Sequence, residues 1–233
     1  MSFDLVHIFS TMSPLSKAIF GVLLLMAVLS IGVTVERWIA FRRSGNESKI
    51  FAQKAAPLIE DWRIDAVSEL ANKHQYSALA RLFGATIRRY LRGVEETEGR
   101  MTPVELARNE SERRKDQLAA DLRRGMSIVA TVGSIAPFVG LLGTVVGIIA
   151  AFQGIGAAGS SGMAAISTGI AEALVETAFG LMVAIPAVIM FNYLTGRVAT
   201  IELALGRSVG ELLDEMENHD GHASQQHKES AAA

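Results

Sequence analysis

Long uncharged blocks alternate with long charged ones along this chain. Positions 18–35, AIFGVLLLMAVLSIGVTV, are eighteen uncharged residues bounded by Lys17 and Glu36. At about 1.5 Å of rise per residue, a helix of that length just spans a hydrocarbon core of about 30 Å, with Trp38 placed to anchor at the interface. A cleaved leader is the competing reading. It is disfavoured because no small-residue cleavage site follows and the next residues, ERWIAFRR, are charged and bulky. From 125 to 171 there is no charged residue, a run too long for one crossing. It divides at QGIGAAGSSGMAAISTG (153–169), a Gly/Ser/Ala-rich stretch with turn chemistry. A second helix ending near Phe152 and a third starting near Ser167 are therefore expected.

The intervening region, 50–124, is rich in Ala, Arg, Glu and Leu, with helical spacing at Leu79, Leu82, Phe83, Ile87 and Leu91. A break is expected at GVEETEGRMTP (93–103), followed by a helix start: Thr102 as N-cap, Pro103 at the first position and Glu105 closing a capping box. Nothing in the sequence stops that helix before the 153–169 stretch. One helix over 103–152 would be about 75 Å long. The third helix is expected to run on through RVATIELALGRSVGELLDEMEN towards Asn218. The expected fold is all-α and integral to the membrane. Its segments are a short terminus (1–17), crossings at 18–37, 125–152 and 169–196, a polar helical domain (38–124), a hairpin (153–168), a helical extension (197–218) and a disordered polar tail (219–233).

Charge adds direction. Eighteen of the 22 Lys and Arg lie within 37–124. The positive-inside rule then puts the N-terminus and the hairpin outside, and 38–124 and the C-terminus in the cytoplasm. Composition mostly excludes. There is no cysteine, hence no disulfide or thiolate metal site, and a net charge of −2 gives no reason to expect nucleic acid. Three of the five histidines, His219, His222 and His227, sit in the polar tail, where disorder is a simpler reading than a metal site. No phosphate-binding loop of the Gly-x-x-x-x-Gly-Lys kind occurs. An enzyme is the weakest reading, and no cofactor or metal is expected.

Two stripes mark the second crossing. Gly133, Gly140, Gly147 and Gly154 recur every seven residues, and Gly143 forms a Gly-x-x-x-Gly pair with Gly147. Small residues let helix backbones approach in lipid, and a heptad interval keeps them facing one partner. That partner is either another helix of this chain or another subunit. Ser127, Thr131 and Ser134 share a face, with Thr144 rotated from them. Each hydroxyl alone can bond back to its own backbone. Four in one helix fit better with a wetted or protein-lined interior.

The third crossing carries two acids one turn apart, Glu172 and Glu176. An ionised carboxylate near a bilayer centre costs about 2.5–3.5 kcal/mol on insertion scales, so it is expected to face protein or water. Burial and mutual repulsion both disfavour the charged form, and a close pair is suited to sharing one proton. The bland alternative starts the crossing at Thr177 and leaves both acids as interfacial charges favoured by the helix dipole. Pro186, mid-helix, frees a backbone carbonyl and is expected to kink the segment.

APFVGLLGTVVGIIAAF (136–152) and GIAEALVETAFGLMVAIPAVIMFNYL (169–194) resemble the ExbB/TolQ/MotA family of ion-channel stators, the ExbB/TolQ branch in particular. The resemblance covers the second and third crossings closely, whereas 40–120 has no distinctive motif. It implies a homopentameric ring around single-span partners of the ExbD/TolR type, whose membrane aspartate carries protons and drives rotation. It places the family's pore threonine on Thr144, its intramembrane glutamate on Glu172 and the following threonine on Thr177. At Glu176 relatives usually carry a small residue, so this acid inherits no role; a second titrating site on the ion path, an altered ion preference and a pairing specific to this machine all stay open for it. The implied function is a ring subunit of an ion-driven inner-membrane motor serving transport, envelope integrity or gliding motility. The alternative is a non-conducting membrane scaffold.

Overall fold

The computed structural model describes residues 13–96, 100–158 and 162–232, and the side-chain surroundings of 13–96, 100–153, 167 and 169–221. Every regular element in those residues is a helix: α1 (Pro14–Glu60), α2 (Ile64–Lys73), α3 (Ala78–Glu95), α4 (Pro103–Arg123), α5 (Met126–Ala158) and α6 (Gly162–Ala232). Three are long and apolar enough to cross a membrane, with candidate spans in Pro14–Glu60, Met126–Gln153 and Gly169–Gly221. The chain forms two compact units, Met1–Glu36 with Gly125–Thr195, and Arg37–Arg124 with Gly196–Ala233.

The first unit is apolar on both its inside and its outside. Ile19 and Leu23 of α1, Val129, Val132 and Ala136 of α5, and Val183, Ala184 and Ala187 of α6 form its core. Phe20 stacks on Phe179 with ring centroids 4.5 Å apart. Yet Leu25, Val28, Ile31, Phe138, Leu142 and Met182 are all exposed by more than half. An apolar surface on that scale is a liability in water and ordinary in lipid.

The second unit is built as a water-soluble bundle is. Phe51, Val67, Leu82, Ile87, Leu118, Leu212 and Met216 are almost wholly buried in one core. Ion pairs rim it: Arg81–Asp121 at 2.9 Å, Arg108–Glu217 at 3.1 Å and Arg123–Glu202 at 2.9 Å. Exposed pairs of this kind contribute about 0–1 kcal/mol each, so the apolar core carries the stability. Helix α3 starts at Ser77, whose hydroxyl accepts from Ala80 N at 2.9 Å. Helix α4 starts in the capping box read from the sequence, with Thr102 Oγ1 accepting from Glu105 N at 3.1 Å and Glu105 Oε2 from Thr102 N at 2.8 Å.

The structure differs from the sequence expectation at four places. The single helix over 103–152 is broken: α4 ends at Arg123 and α5 begins at Met126, with Gly125 at φ +77° between them. Glycine adopts that conformation without steric penalty, so one residue suffices to end the charged helix. Next, the helices extend further into the Gly/Ser/Ala stretch than its turn chemistry suggests, α5 to Ala158 and α6 from Gly162. The polar tail expected to be disordered is helical to Ala232; its Glu, Gln, Lys and Ala residues are good helix formers. Lastly, α1 runs past the first crossing to Glu60, and in the turn that follows it Trp62 takes a φ of +53°, uncommon for a bulky side chain. The Trp62 ring stacks on His219 at 3.7 Å and meets Tyr90 edge-on at 6.2 Å, which holds it there.

Candidate functional site

The site is the line of contact between α5 and α6, which run antiparallel with their backbones almost touching. A Cβ added at Gly133 would meet Val188 Cγ2 at 2.7 Å. One at Gly140 would meet the Thr177 and Gly180 Cα atoms at 3.1 and 3.2 Å, and one at Gly147 would meet Ala173 Cβ at 3.0 Å. From the other side, Gly180 has room for no Cβ against the Ala136 carbonyl oxygen, 2.7 Å away. So the heptad glycines at 133, 140 and 147 face a helix of the same chain. Gly154, last of that series, lies outside the residues whose surroundings are described.

Side chains on this seam differ sharply in their surroundings. Thr177 donates its hydroxyl to the Gly140 carbonyl oxygen at 3.0 Å, a bond between the two helices. Thr144 instead donates to the Leu141 carbonyl of its own helix at 2.6 Å, and Ser134 likewise to Thr131 at 3.1 Å. Ser127, Thr131 and Ser134 all lie exposed, on the side of α5 away from the glycine seam.

The two acids are the most informative pair. Glu172 is partly exposed, whereas Glu176 is 0% exposed and packs its carboxylate against Gly143, where an added Cβ would collide with it. Neither Glu176 oxygen has a hydrogen-bond partner. The Ser16 hydroxyl of α1 is brought to this carboxyl, too loosely placed for a well-formed hydrogen bond, and Glu172 acts on it electrostatically from one turn away. Spacing alone put both acids on one face. The 40° by which four residues overshoot one helical turn is enough to leave one at the edge of the seam and one inside it. Both lie well inside α6, ten and fourteen residues from its start at Gly162. The helix-dipole effect fades within the first turn, so it accounts for neither acid.

Thr177 and Glu176 are thus brought together with Gly140 and Gly143, while Thr144 turns back on its own helix and Glu172 sits at the margin. Pro186 lies within the continuous α6 and lines an apolar groove of about 310 Å³ with Ala27, Ser30, Phe179 and Met182. Sequence reasoning missed the proximity of Ser16. A hydroxyl in the first turn of a membrane helix carries no pattern that would single it out.

The chain is similar in sequence to known proteins. The description of the MotA/TolQ/ExbB proton channel family matches residues 76–206. The Tol-Pal system protein TolQ of Pseudomonas aeruginosa is 33% identical over 215 residues, covering 85% of this chain and 87% of that protein. The biopolymer transport protein ExbB of Salmonella typhimurium is 38% identical over 102 residues, 44% of this chain. The ExbB of Salmonella typhi matches to the same extent. In both ExbB cases the match spans 42% of the relative's length.

Proposed function

The chain belongs to the MotA/TolQ/ExbB proton channel family, and from that premise we propose that it is the ring subunit of an ion-driven motor of the inner membrane. In this reading several copies, five by analogy with the family, surround a single-span partner of the ExbD/TolR type. Ion flow through the assembly is converted into mechanical work on an envelope system. The N-terminus and the α5–α6 junction lie outside, and the Arg-rich 37–124 region lies in the cytoplasm, as the distribution of basic residues favours.

The observation that carries this reading is Glu172: an acid well inside a membrane-length helix, partly exposed in the isolated chain. A carboxylate at that depth is stable only against protein or water. The exposed hydroxyl stripe of Ser127, Thr131 and Ser134 asks for the same cover. A ring with a central partner helix supplies a protein-lined, wetted interior for both. Glu172, Thr144 and Thr177 then line or shape the ion path, with Thr177 also locking α6 to α5 through Gly140.

The test is purification of the intact complex from native membranes, with its mass and its co-purifying chains determined, followed by ion flux in liposomes. Glu172→Gln should abolish flux while leaving the complex intact. Thr144→Ala and Thr177→Ala should each reduce it. Flux untouched by all three substitutions, or a ring without a single-span partner, would return the chain to the scaffold reading.

A further inference from the structure

Glu176 takes no part in the path just described, yet it is the most completely buried acid among the described residues. Three observations about it are independent of one another. Its side chain is 0% exposed within a single chain, before any neighbour is added. Both carboxylate oxygens are without a hydrogen-bond partner. The space it occupies exists only because position 143 of the facing helix lacks a Cβ. The seam is closed tightly enough elsewhere that this notch is specific to the carboxyl.

A carboxylate in such a place is among the most unfavourable groups to bury, because it is sealed from water and its oxygens lack a well-formed hydrogen bond, the nearby Ser16 hydroxyl included. A metal cation does not resolve this. Divalent ions need several oxygen ligands, and among the described residues no group of three His, Asp or Glu side chains gathers that could hold one. Helix α5 contributes no ionisable residue, α6 contributes Glu172 one turn away, and α1 contributes Ser16, next to Lys17. A proton is the one cation that needs a single oxygen and no extra volume.

We propose that Glu176, seated in the Gly143 notch between α5 and α6, is a second proton-binding site of this protein, occupied as the carboxylic acid and able to exchange its proton. Uptake adds the proton to one carboxylate oxygen, and release passes it to water or to the Glu172 carboxylate when the α5–α6 seam loosens. The existence of the site stands apart from the motor reading. Exchange during turnover rests on that reading.

Infrared spectroscopy of the full-length protein in lipid nanodiscs at neutral pH tests it directly. The expected result is a carboxylic-acid carbonyl band that shifts on transfer to D₂O. The band should disappear in Glu176→Gln and in Glu176→Ala, and persist in Glu172→Gln. The two Glu176 variants guard against one of them misfolding. No such band, a band insensitive to both Glu176 substitutions, or a band that never shifts in D₂O overturns the proposal. Ion flux measured on the same samples with the co-purified partner separates the two claims. A Glu176-dependent band without flux sinks the motor and keeps the site. Flux without that band sinks the site and keeps the motor.

Discussion

The two units of this chain solve the same problem, bringing helices together, with opposite residue choices. The second unit fills its interior with Phe51, Leu82, Ile87, Leu118, Leu212 and Met216. The first joins α5 to α6 through Gly133, Gly140, Gly143, Gly147 and Gly180, whose missing Cβ atoms let Val188, Ala173 and Glu176 lie directly against the backbone. In water, each large apolar side chain removed from solvent stabilises by about 1.5–3 kcal/mol, so bulk is useful. In lipid the surroundings are as apolar as the interior, and helices gain only from close packing and hydrogen bonds. Glycine maximises the first, and Thr177 to Gly140 supplies the second. An acid placed on the glycine seam, Glu176, therefore sits where there is neither water nor spare volume.

The largest effect expected from this contrast is in the bulky core. Phe51→Ala should destabilise the second unit by about 3–5 kcal/mol, seen as early proteolysis of 37–124 on heating. The seam glycines have no side chain to truncate, and there enlargement is the damaging change.

The seam is tested by a pair of substitutions. Gly143→Ala should destabilise by about 1–3 kcal/mol, because the new methyl meets the Glu176 carboxyl. In a Glu176→Ala background the same change should be neutral or slightly stabilising, since alanine is better in a helix than glycine by about 0.8–1.0 kcal/mol. Thermal unfolding of the four variants in one detergent gives the coupling. A Gly143→Ala effect that is the same in both backgrounds would show that the notch and the acid are unrelated.

A smaller effect is expected at Tyr90, which is 3% exposed and donates its hydroxyl to Asp220 at 2.5 Å. Burial first, and then the Asp220 bond and charge, hold its phenol well above the ordinary tyrosine range. The folded state thus keeps a proton that the unfolded chain gives up near pH 10. Stability from this group is complete below that pH and is lost as pH rises further. Wild type should lose stability above about pH 10 more steeply than Tyr90→Phe, by roughly 1 kcal/mol. Parallel profiles in a denaturation series at several alkaline pH values would refute the coupling.

Much of this was legible in local pattern. The three apolar runs, the Thr102–Glu105 box and the seven-residue glycine interval are each written in neighbouring residues, and periodicity reports faces reliably over a few turns. The same reasoning failed at Gly125. A lone glycine within an uncharged run reads as a tolerated helix residue, and its positive φ is visible only once the chain is folded. It also overestimated the hairpin, because Gly, Ser and Ala permit turns without requiring them.

The sequence by itself determined that this chain has three membrane-length helices, where its charge lies and that two acids occupy the third crossing. Only the tertiary structure decided which of the two acids is sealed, what the glycine stripe faces and which threonine reaches across to the other helix. The physical reason is range. Hydrophobicity and helical spacing are properties of consecutive residues. The environment of a carboxyl is set by atoms such as the absent Cβ of Gly143, distant along the chain and brought within contact only when two backbones pack this closely.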